Sequence, residues 1–246
     1  MYLLNQSPDR GASYEIVGCV TSEATFDEAV RVERRGVPVQ PHPIGEFYAA
    51  HGAADCRDMT LRAAYDTGTL ALVEPWLPDV LVLDGYLRLL TAPLLRRFRD
   101  RVVNLHFSDL TLRTCTGAPR HPGIRAVRDA LAAGCAETRA TVHLVTAEVD
   151  AGPPIVRSWP FPVSPLVEDV RTRSGDAAFK AYAFAHEQWM MRTAAGPLIA
   201  AALRLIATGA VNLDALAEGG ADAQAPWLLE RHGFLLAPAV DLVEAR

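Results

Sequence analysis

Two polar side chains, Asn104 and His106, stand one residue apart in a segment typical of a β-strand. Because side chains alternate along an extended chain, both would project from the same face at the end of that strand. An Asn amide can donate a hydrogen bond to an oxygen that becomes negative in a tetrahedral intermediate. A His can stabilise the same charge, or carry a proton from an attacking amine to a leaving group. The pair suits acyl transfer, although an isolated Asn-x-His is more often a structural pair.

Asp150 is the carboxylate that could act together with this pair. It lies in the segment 148–153, where Gly152 and Pro153 favour a tight loop. A carboxylate close to His106 would favour the protonated imidazole. Taken alone, Asp150 would be interpreted as a turn-forming residue, so its catalytic role depends on its proximity to the pair.

The elements that would position these residues alternate between short β-rich runs and longer helical segments. The predicted strands are 14–20, 79–83, 101–105, 140–146 and 155–163, and the predicted helices are 25–36, 57–74, 91–98, 124–133 and 176–207. A capping box of Thr25 and Glu28 would begin the first helix, and Gly196-Pro197 predicts a break in the last. The alternation predicts an α/β fold with an open, doubly wound, mostly parallel sheet. In such a sheet, ligands bind beyond the carboxyl ends of the strands.

The composition limits the classes of function. Half of the 246 residues are hydrophobic and the formal net charge is −5, which predicts a sizeable core and argues against a nucleic-acid binder. The N-terminal residues lack a signal-peptide pattern, and Gly196, Pro197 and Arg204 interrupt the most apolar stretch, so we expect no membrane partner. Four isolated cysteines without a C-x-x-C pair indicate a reducing cytoplasm.

Between residues 79 and 163 the chain resembles the folate-dependent formyltransferases, and most of all the phosphoribosylglycinamide formyltransferases. Four motifs in order carry the resemblance: Gly85-Tyr86-Leu87-Arg88-Leu89-Leu90, Asn104-Leu105-His106, Gly123 followed by Arg128-Asp129-Ala130-Leu131, and Thr141-Val142-His143 continuing through Val145, Glu148 and Asp150 to Gly152-Pro153. The resemblance implies a Rossmann-like formyltransferase fold with a C-terminal helical extension. It also implies that Asn104, His106 and Asp150 are catalytic, that 10-formyltetrahydrofolate is the co-substrate, and that no metal takes part.

The resemblance further implies a pocket for the reduced folate. Its predicted members are Leu87, Arg88, Leu89, Leu90, Val145, Glu148 and Val149. An apolar slot with a few polar groups suits a flat heterocycle. The alternative for the three leucines is ordinary packing in the protein core.

The sequence departs from the family in three respects. The residues after His106 are Phe107-Ser108-Asp109-Leu110-Thr111 instead of the usual Pro-Ser-x-Leu-Pro, and the loop continues to Gly123 through Arg113, Cys115, Arg120 and His121. The resemblance places this loop on the acceptor side of the site. The difference in the loop therefore indicates either a different acceptor or a simple variation of a solvated loop.

The family's first strand and glycine-rich phosphate-binding turn have no counterpart in this sequence. We therefore expect either further residues before Met1 or direct pairing of the strands 14–20 and 79–83.

These patterns predict two regions: an N-terminally incomplete formyltransferase domain over 1–211, and a tail over 212–246 with a short helix near Trp227. The predicted function is transfer of a formyl group from 10-formyltetrahydrofolate to a primary amine, phosphoribosylglycinamide or a related small acceptor. The alternatives are N-formylation of an amino sugar or secondary metabolite, and folate binding without catalysis. We expect His42, Glu46, His51 and Asp55 to be surface residues rather than a metal site, because their spacing fits no standard ligand pattern.

Overall fold

The chain, seen in a computed structural model that describes residues 2–219 and 226–238, divides into two compact units. The first unit is Met1–Val103 and the second is Asn104–Arg246. The boundary predicted near residue 212 falls inside the second unit.

The first unit carries short strands and five described α-helices. The helices are α1 (Tyr2–Asn5), α2 (Ala29–Glu33), α3 (Ile44–Ala50), α4 (Met59–Val73) and α5 (Ala92–Arg97), and the strands are β1 (Cys19–Thr21), β2 (Val39–Pro41) and β3 (Leu81–Leu83). β1 and β2 pair in parallel, with Cys19 opposite Val39. The strands 14–20 and 79–83, which we expected to pair directly in one alternative, do not pair with each other in the described part of the chain.

Helix α4 fixes the loop that follows β3. It begins at a cap in which the Asp58 carboxylate accepts hydrogen bonds from the N–H groups of Thr60 and Leu61. Further along, the buried Asp66 accepts two hydrogen bonds of 2.6 Å, from the N–H and the hydroxyl of Thr91. Because Thr91 directly precedes α5, this carboxylate ties the end of the segment 84–91 to α4.

The second unit contains a sheet, a separate strand pair and a long helical segment. Its strands are β4 (Val102–His106, beginning in the last two residues of the first unit), β5 (Glu137–Thr138), β6 (Thr141–Leu144), β7 (Pro154–Arg157), β8 (Phe161–Pro162), β9 (Trp227–Leu229) and β10 (Leu235–Leu236), and its helices are α6 (Ala126–Ala132), α7 (Val167–Arg173), α8 (Gly175–Met190), α9 (Gly196–Ala207) and α10 (Leu213–Gly219). The sheet order in this unit is β10-β9-β7-β6-β4, and β5 pairs with β8.

The observed sheet of this unit contains both parallel and antiparallel pairs. β6 and β7 are antiparallel, as are β9 and β10, whereas β7 and β9 are parallel. The reason for the first pairing is the short connection between Leu144 and Pro154, since a parallel pair needs a longer crossover. Trp227, near which a short helix was predicted, begins β9 beside β7, and the described short helix of the tail is α10.

The predicted helix over 176–207 is confirmed as a continuous helix from Gly175 to Ala207. At the break predicted for Gly196-Pro197 the helix does not end. It forms a π-helical turn, Met191–Ala195, directly before these two residues. A widened turn gives the proline ring room beside the preceding carbonyl groups, so the helix continues. By length and composition alone this helix could cross a membrane, but half of its apolar window is buried, as in the core helices of soluble proteins. α9 packs against β6 and β7.

The capping box predicted from Thr25 and Glu28 is wrong. The helix α2 begins only at Ala29, and no side-chain cap is formed at its start. The carboxylate of Glu28 pairs instead with Arg31, at 3.2 Å, three residues along the same helix.

Candidate active site

The connection from β6 to β7 brings Asp150 back toward the end of β4. Asp150 adopts a left-handed backbone conformation, with φ of 52°, which Asp tolerates better than most residues. A side chain at Gly152 would overlap the carbonyl oxygen of Leu144, so the tight return requires glycine there. The N–H of Gly123 donates a 2.7 Å hydrogen bond to Oδ2 of Asp150 and fixes the carboxylate.

His106 lies between two oxygen acceptors. Its Nδ1 is 3.6 Å from Oδ2 of Asp150, and its Nε2 is 3.2 Å from the carbonyl oxygen of His121. Both the His106 and the Asp150 side chains are only 10% exposed. The contact with the His121 carbonyl is at hydrogen-bond distance, whereas the contact with Asp150 is longer and within ion-pair distance. The carboxylate is therefore placed where it would attract a positive charge on the ring of His106.

A second histidine, His143 on β6, lies beside Asn104. Its Nδ1 is 2.9 Å from the carbonyl oxygen of Leu144, which can only accept, so Nδ1 carries the proton. Its Nε2 is then an acceptor and lies 3.1 Å from the amide nitrogen of Asn104, which donates to it. Burial lowers the pKa of His143 to about 4, although the Asp150 carboxylate, 3.7 Å away, opposes the change. His143 is therefore neutral at neutral pH.

The neutral His143 decides how the Asn104 amide is oriented. One N–H of the amide donates to His143, which leaves the other to donate to a substrate oxygen. A donor held in a fixed direction costs little reorganisation when negative charge develops on that oxygen. The structure thus brings Asn104, His106 and Asp150 together around His143.

His143 belongs to one of the motifs of the family resemblance, but it was not predicted to have a role of its own. The available signal was its polar character inside the fully buried strand β6. A buried histidine needs hydrogen-bond partners on both nitrogens, and the adjacent strand β4 carries Asn104.

The predicted folate-binding residues are divided between the two units. In the first unit Leu87 and Leu89 are 71% and 51% exposed, Arg88 is exposed and Leu90 is half-buried. Ordinary core packing is therefore wrong for Leu87 and Leu89. In the second unit Val149 and Glu148 are exposed and Val145 is half-buried. Both segments present apolar surface, and their roles stay predictions.

The loop that follows β4 forms a wall of a cavity within the second unit. An antiparallel bridge joins Arg113 to Pro119, and the N–H of Thr114 donates to the carbonyl of Ala118. The cavity has a volume of about 700 Å³, and its lining includes Arg113, Thr116, Gly117, Pro119, Glu148 and Val149. Val149 and Ala151, which also lines it, flank Asp150, so the cavity borders the candidate active site.

The two histidines weighed as part of a metal cluster are engaged elsewhere. Nδ1 of His42 is 3.0 Å from the hydroxyl of Thr69, and Nδ1 of His51 is 2.8 Å from the carbonyl of Phe47. Among the described residues, no group of three or more His, Cys, Asp or Glu side chains is placed to hold a metal ion.

Curated proteins similar to this chain include bacterial enzymes of one kind. The phosphoribosylglycinamide formyltransferase of Mycobacterium tuberculosis is 40% identical over 106 residues, which are 43% of this chain and 45% of that protein. The enzyme of the same name from Escherichia coli is 35% identical over 97 residues, 39% of this chain and 42% of that protein. A trifunctional purine biosynthetic protein adenosine-3 of Gallus gallus is 26% identical over 212 residues, 86% of this chain but 17% of that protein. The chain therefore spans less than half of the length of each of these relatives.

Solved structures and a family model agree with these similarities. Glycinamide ribonucleotide transformylase 1 from Symbiobacterium toebii matches with a TM-score of 0.60 and 25% identity, over 79% of this chain and 75% of that one. Phosphoribosylglycinamide formyltransferase from Brucella melitensis matches with a TM-score of 0.58 and 26% identity, over 86% and 91%. They confirm the α/β, Rossmann-like formyltransferase fold predicted from the sequence. The family model described as formyl transferase matches residues 2–183, and the chain belongs to this family.

Proposed function

We propose that this protein transfers the formyl group of 10-formyltetrahydrofolate to a primary amine of a small molecule. The observation that carries the proposal is the convergence of Asn104, His106 and Asp150 around the neutral, buried His143. Family membership supports the reaction type, and the geometry supports these particular residues.

Asn104 and His106 act on the formyl oxygen in the proposed reaction, and Asp150 acts on His106. The amine nitrogen attacks the formyl carbon, a C–N bond forms, and the carbonyl oxygen becomes negative. The free N–H of Asn104 and the imidazolium of His106 donate to that oxygen. A negative oxygen is a stronger acceptor than the His121 carbonyl that Nε2 of His106 faces, so it can replace that partner.

The second half of the reaction releases the folate. The attacking nitrogen loses a proton, the bond from the formyl carbon to N10 of the folate breaks, and N10 takes up a proton. The products are the N-formyl compound and tetrahydrofolate. Asp150 stabilises the positive charge of His106 throughout, and Gly123 keeps its carboxylate in place.

Phosphoribosylglycinamide is the first acceptor to test, because the similar bacterial enzymes carry it in their names. An amino sugar or a secondary metabolite is the second, because the loop 107–122 differs from the family pattern. A folate-binding protein without catalysis is the remaining alternative, and the assembled catalytic geometry argues against it. We also propose that the predicted folate-binding residues hold the formyl donor and that the protein is cytoplasmic.

A panel of amines tests the proposal. The purified chain is incubated with 10-formyltetrahydrofolate and each amine, and tetrahydrofolate and the N-formyl product are measured together. We expect equal amounts of both products with at least one amine. Asp150→Asn should slow the reaction, whereas His51→Ala, at an exposed site of the first unit, should not. Folate binding without transfer to any amine would support the non-catalytic alternative.

A further inference from the structure

A separate cavity of about 340 Å³ lies along one face of helix α8 in the second unit. It is lined by Tyr182, Ala185, His186 and Trp189 of the helix and by Pro162 and Ser164 at the end of β8 and just after it. The four helix positions have the three- and four-residue spacing of a single helix face. The volume is at the lower end of the roughly 300–1,000 Å³ found for small-molecule sites.

His186 uses one of its ring nitrogens in the protein core. Its Nε2 is 2.8 Å from the hydroxyl oxygen of Thr138, and that hydroxyl donates to the sulfur of Met190, 3.3 Å away. A hydroxyl has only one hydrogen, so its oxygen accepts from the N–H at Nε2 of His186. Burial lowers the pKa of His186, which keeps the ring neutral at neutral pH. The other nitrogen, Nδ1, is therefore an acceptor without a proton.

This acceptor is unused, although His186 is only 6% exposed. Nδ1 has no hydrogen-bond partner among the described residues. Nor is it one of the fully buried polar atoms that lack a partner in the described part of the chain, so it is within reach of solvent. Because the ring lines the cavity, a molecule in the cavity can donate a hydrogen bond to Nδ1.

The walls of the cavity are mostly flat and uncharged. The rings of Trp189 and His186 meet edge to face, with centroids 5.5 Å apart, and the ring of Tyr182 lies within 24° of parallel to that of His186. Lys, Arg, Asp and Glu are absent from the described lining. Aromatic walls favour a planar apolar ligand, and a charged ligand would lose its hydration there without a countercharge.

We propose that this cavity binds a small, uncharged, planar aromatic molecule that donates an N–H group to Nδ1 of His186. The site is separate from the candidate active site. Thr138, which holds His186, precedes β6, whereas Asp150 follows the other end of that strand. Binding of such a molecule therefore adds a second ligand to the amine and the folate.

Titration with indole and with 1-methylindole tests the proposal, because the two rings have nearly the same shape and only indole carries an N–H group. The histidines of the protein are labelled with ¹⁵N, and the Nδ1 resonance of His186, identified by its loss in His186→Gln, reports the contact. We expect indole to bind with millimolar affinity and to shift this resonance. We expect 1-methylindole to bind at least about fivefold more weakly, because it leaves the acceptor unpaired.

Filling the cavity is the second test. Ala185 is exposed, and Leu forms helices almost as well as Ala, so Ala185→Leu should fold normally while its longer side chain occupies the site. Ala177→Leu, at another exposed alanine of α8 outside the cavity lining, is the matched control. We expect the affinity for indole to fall about tenfold or more in Ala185→Leu and to stay unchanged in Ala177→Leu.

Three results would overturn the proposal. They are equal affinity of wild type for the two indoles, no binding of indole at millimolar concentration, and the same indole affinity in Ala185→Leu and Ala177→Leu.

Discussion

The side-chain amide of Asn104 donates to Nε2 of His143, across 3.1 Å, and this contact fixes which way the amide points. The opposite nitrogen of His143 is held by the carbonyl of Leu144, at 2.9 Å. The catalytic role proposed for Asn104 therefore depends on the tautomer and the neutrality of a neighbouring strand residue.

Replacing His143 with Ala should reduce formyl transfer through Asn104. The amide would lose its orienting acceptor and sample other rotamers, so we expect kcat to fall about tenfold, with less effect than removing the amide itself. Steady-state kinetics at saturating folate measure this change. A His143→Ala variant that is folded and has the kcat of wild type would show that the contact is irrelevant to catalysis.

His143 should also make the stability of the protein depend on pH. In the unfolded chain a His takes up a proton near pH 6.5, whereas the folded His143 does so only near 4. Protonation between these values therefore favours the unfolded chain, and the stabilisation present above about 6.5 is lost as the pH falls towards 4.

Denaturant unfolding of wild type and His143→Gln between pH 4 and 8 checks this expectation. The loss of stability on acidification should be smaller in the variant. His42, His121 and His186 also have pKa values lowered by burial, so part of the dependence should persist in both proteins. Identical pH profiles would contradict the burial of a neutral His143.

Asp150→Asn should remove the charge of residue 150 and keep its hydrogen bond with the N–H of Gly123. The Asn side chain still offers an oxygen to the N–H of Gly123, so the loop should keep its shape. Without the carboxylate, His106 loses the partner of its charged form, and kcat should fall roughly a hundredfold. Asp176→Asn, at an exposed site of α8, is the control. Unchanged kcat in Asp150→Asn, with normal thermal stability, would exclude the proposed role.

Leu89→Asp should abolish folate binding without unfolding the protein. Leu89 is 51% exposed, so the substitution costs little stability, but it puts a charge into the predicted apolar contact with the pterin. Titration with a 5-deaza analogue of 10-formyltetrahydrofolate measures the affinity. Leu166→Asp, at a 66% exposed leucine of the second unit, is the matched control. Equal affinity of both variants would remove Leu89 from the folate site.

The sequence predicts the parts of this site that depend on short-range geometry. Asn104 and His106 share a face because they are two residues apart on a strand, and Gly152-Pro153 indicates the loop that carries Asp150. The approach of Asp150 to His106 also needs the antiparallel pairing of β6 with β7, which the alternation of strands and helices does not reveal.

Contacts between distant residues explain what the sequence did not predict. The role of His143 depends on the pairing of its two nitrogens with Asn104 and with the backbone. The strand at Trp227 has no helical or alternating pattern of its own, and it forms because β7 offers an unpaired edge.

The most direct measurement follows the formyl group itself. The folate is labelled with ¹³C in the formyl group, mixed in single turnover with phosphoribosylglycinamide and with the other amines, and the products are analysed by mass spectrometry. We predict that wild type places the label on the amine nitrogen, with one tetrahydrofolate released for each N-formyl product. We expect a rate at least about a hundredfold lower in His106→Ala and Asn104→Ala, which should still bind folate. Folate binding by wild type with no label on any amine, or wild-type transfer by His106→Ala, would contradict the proposed function.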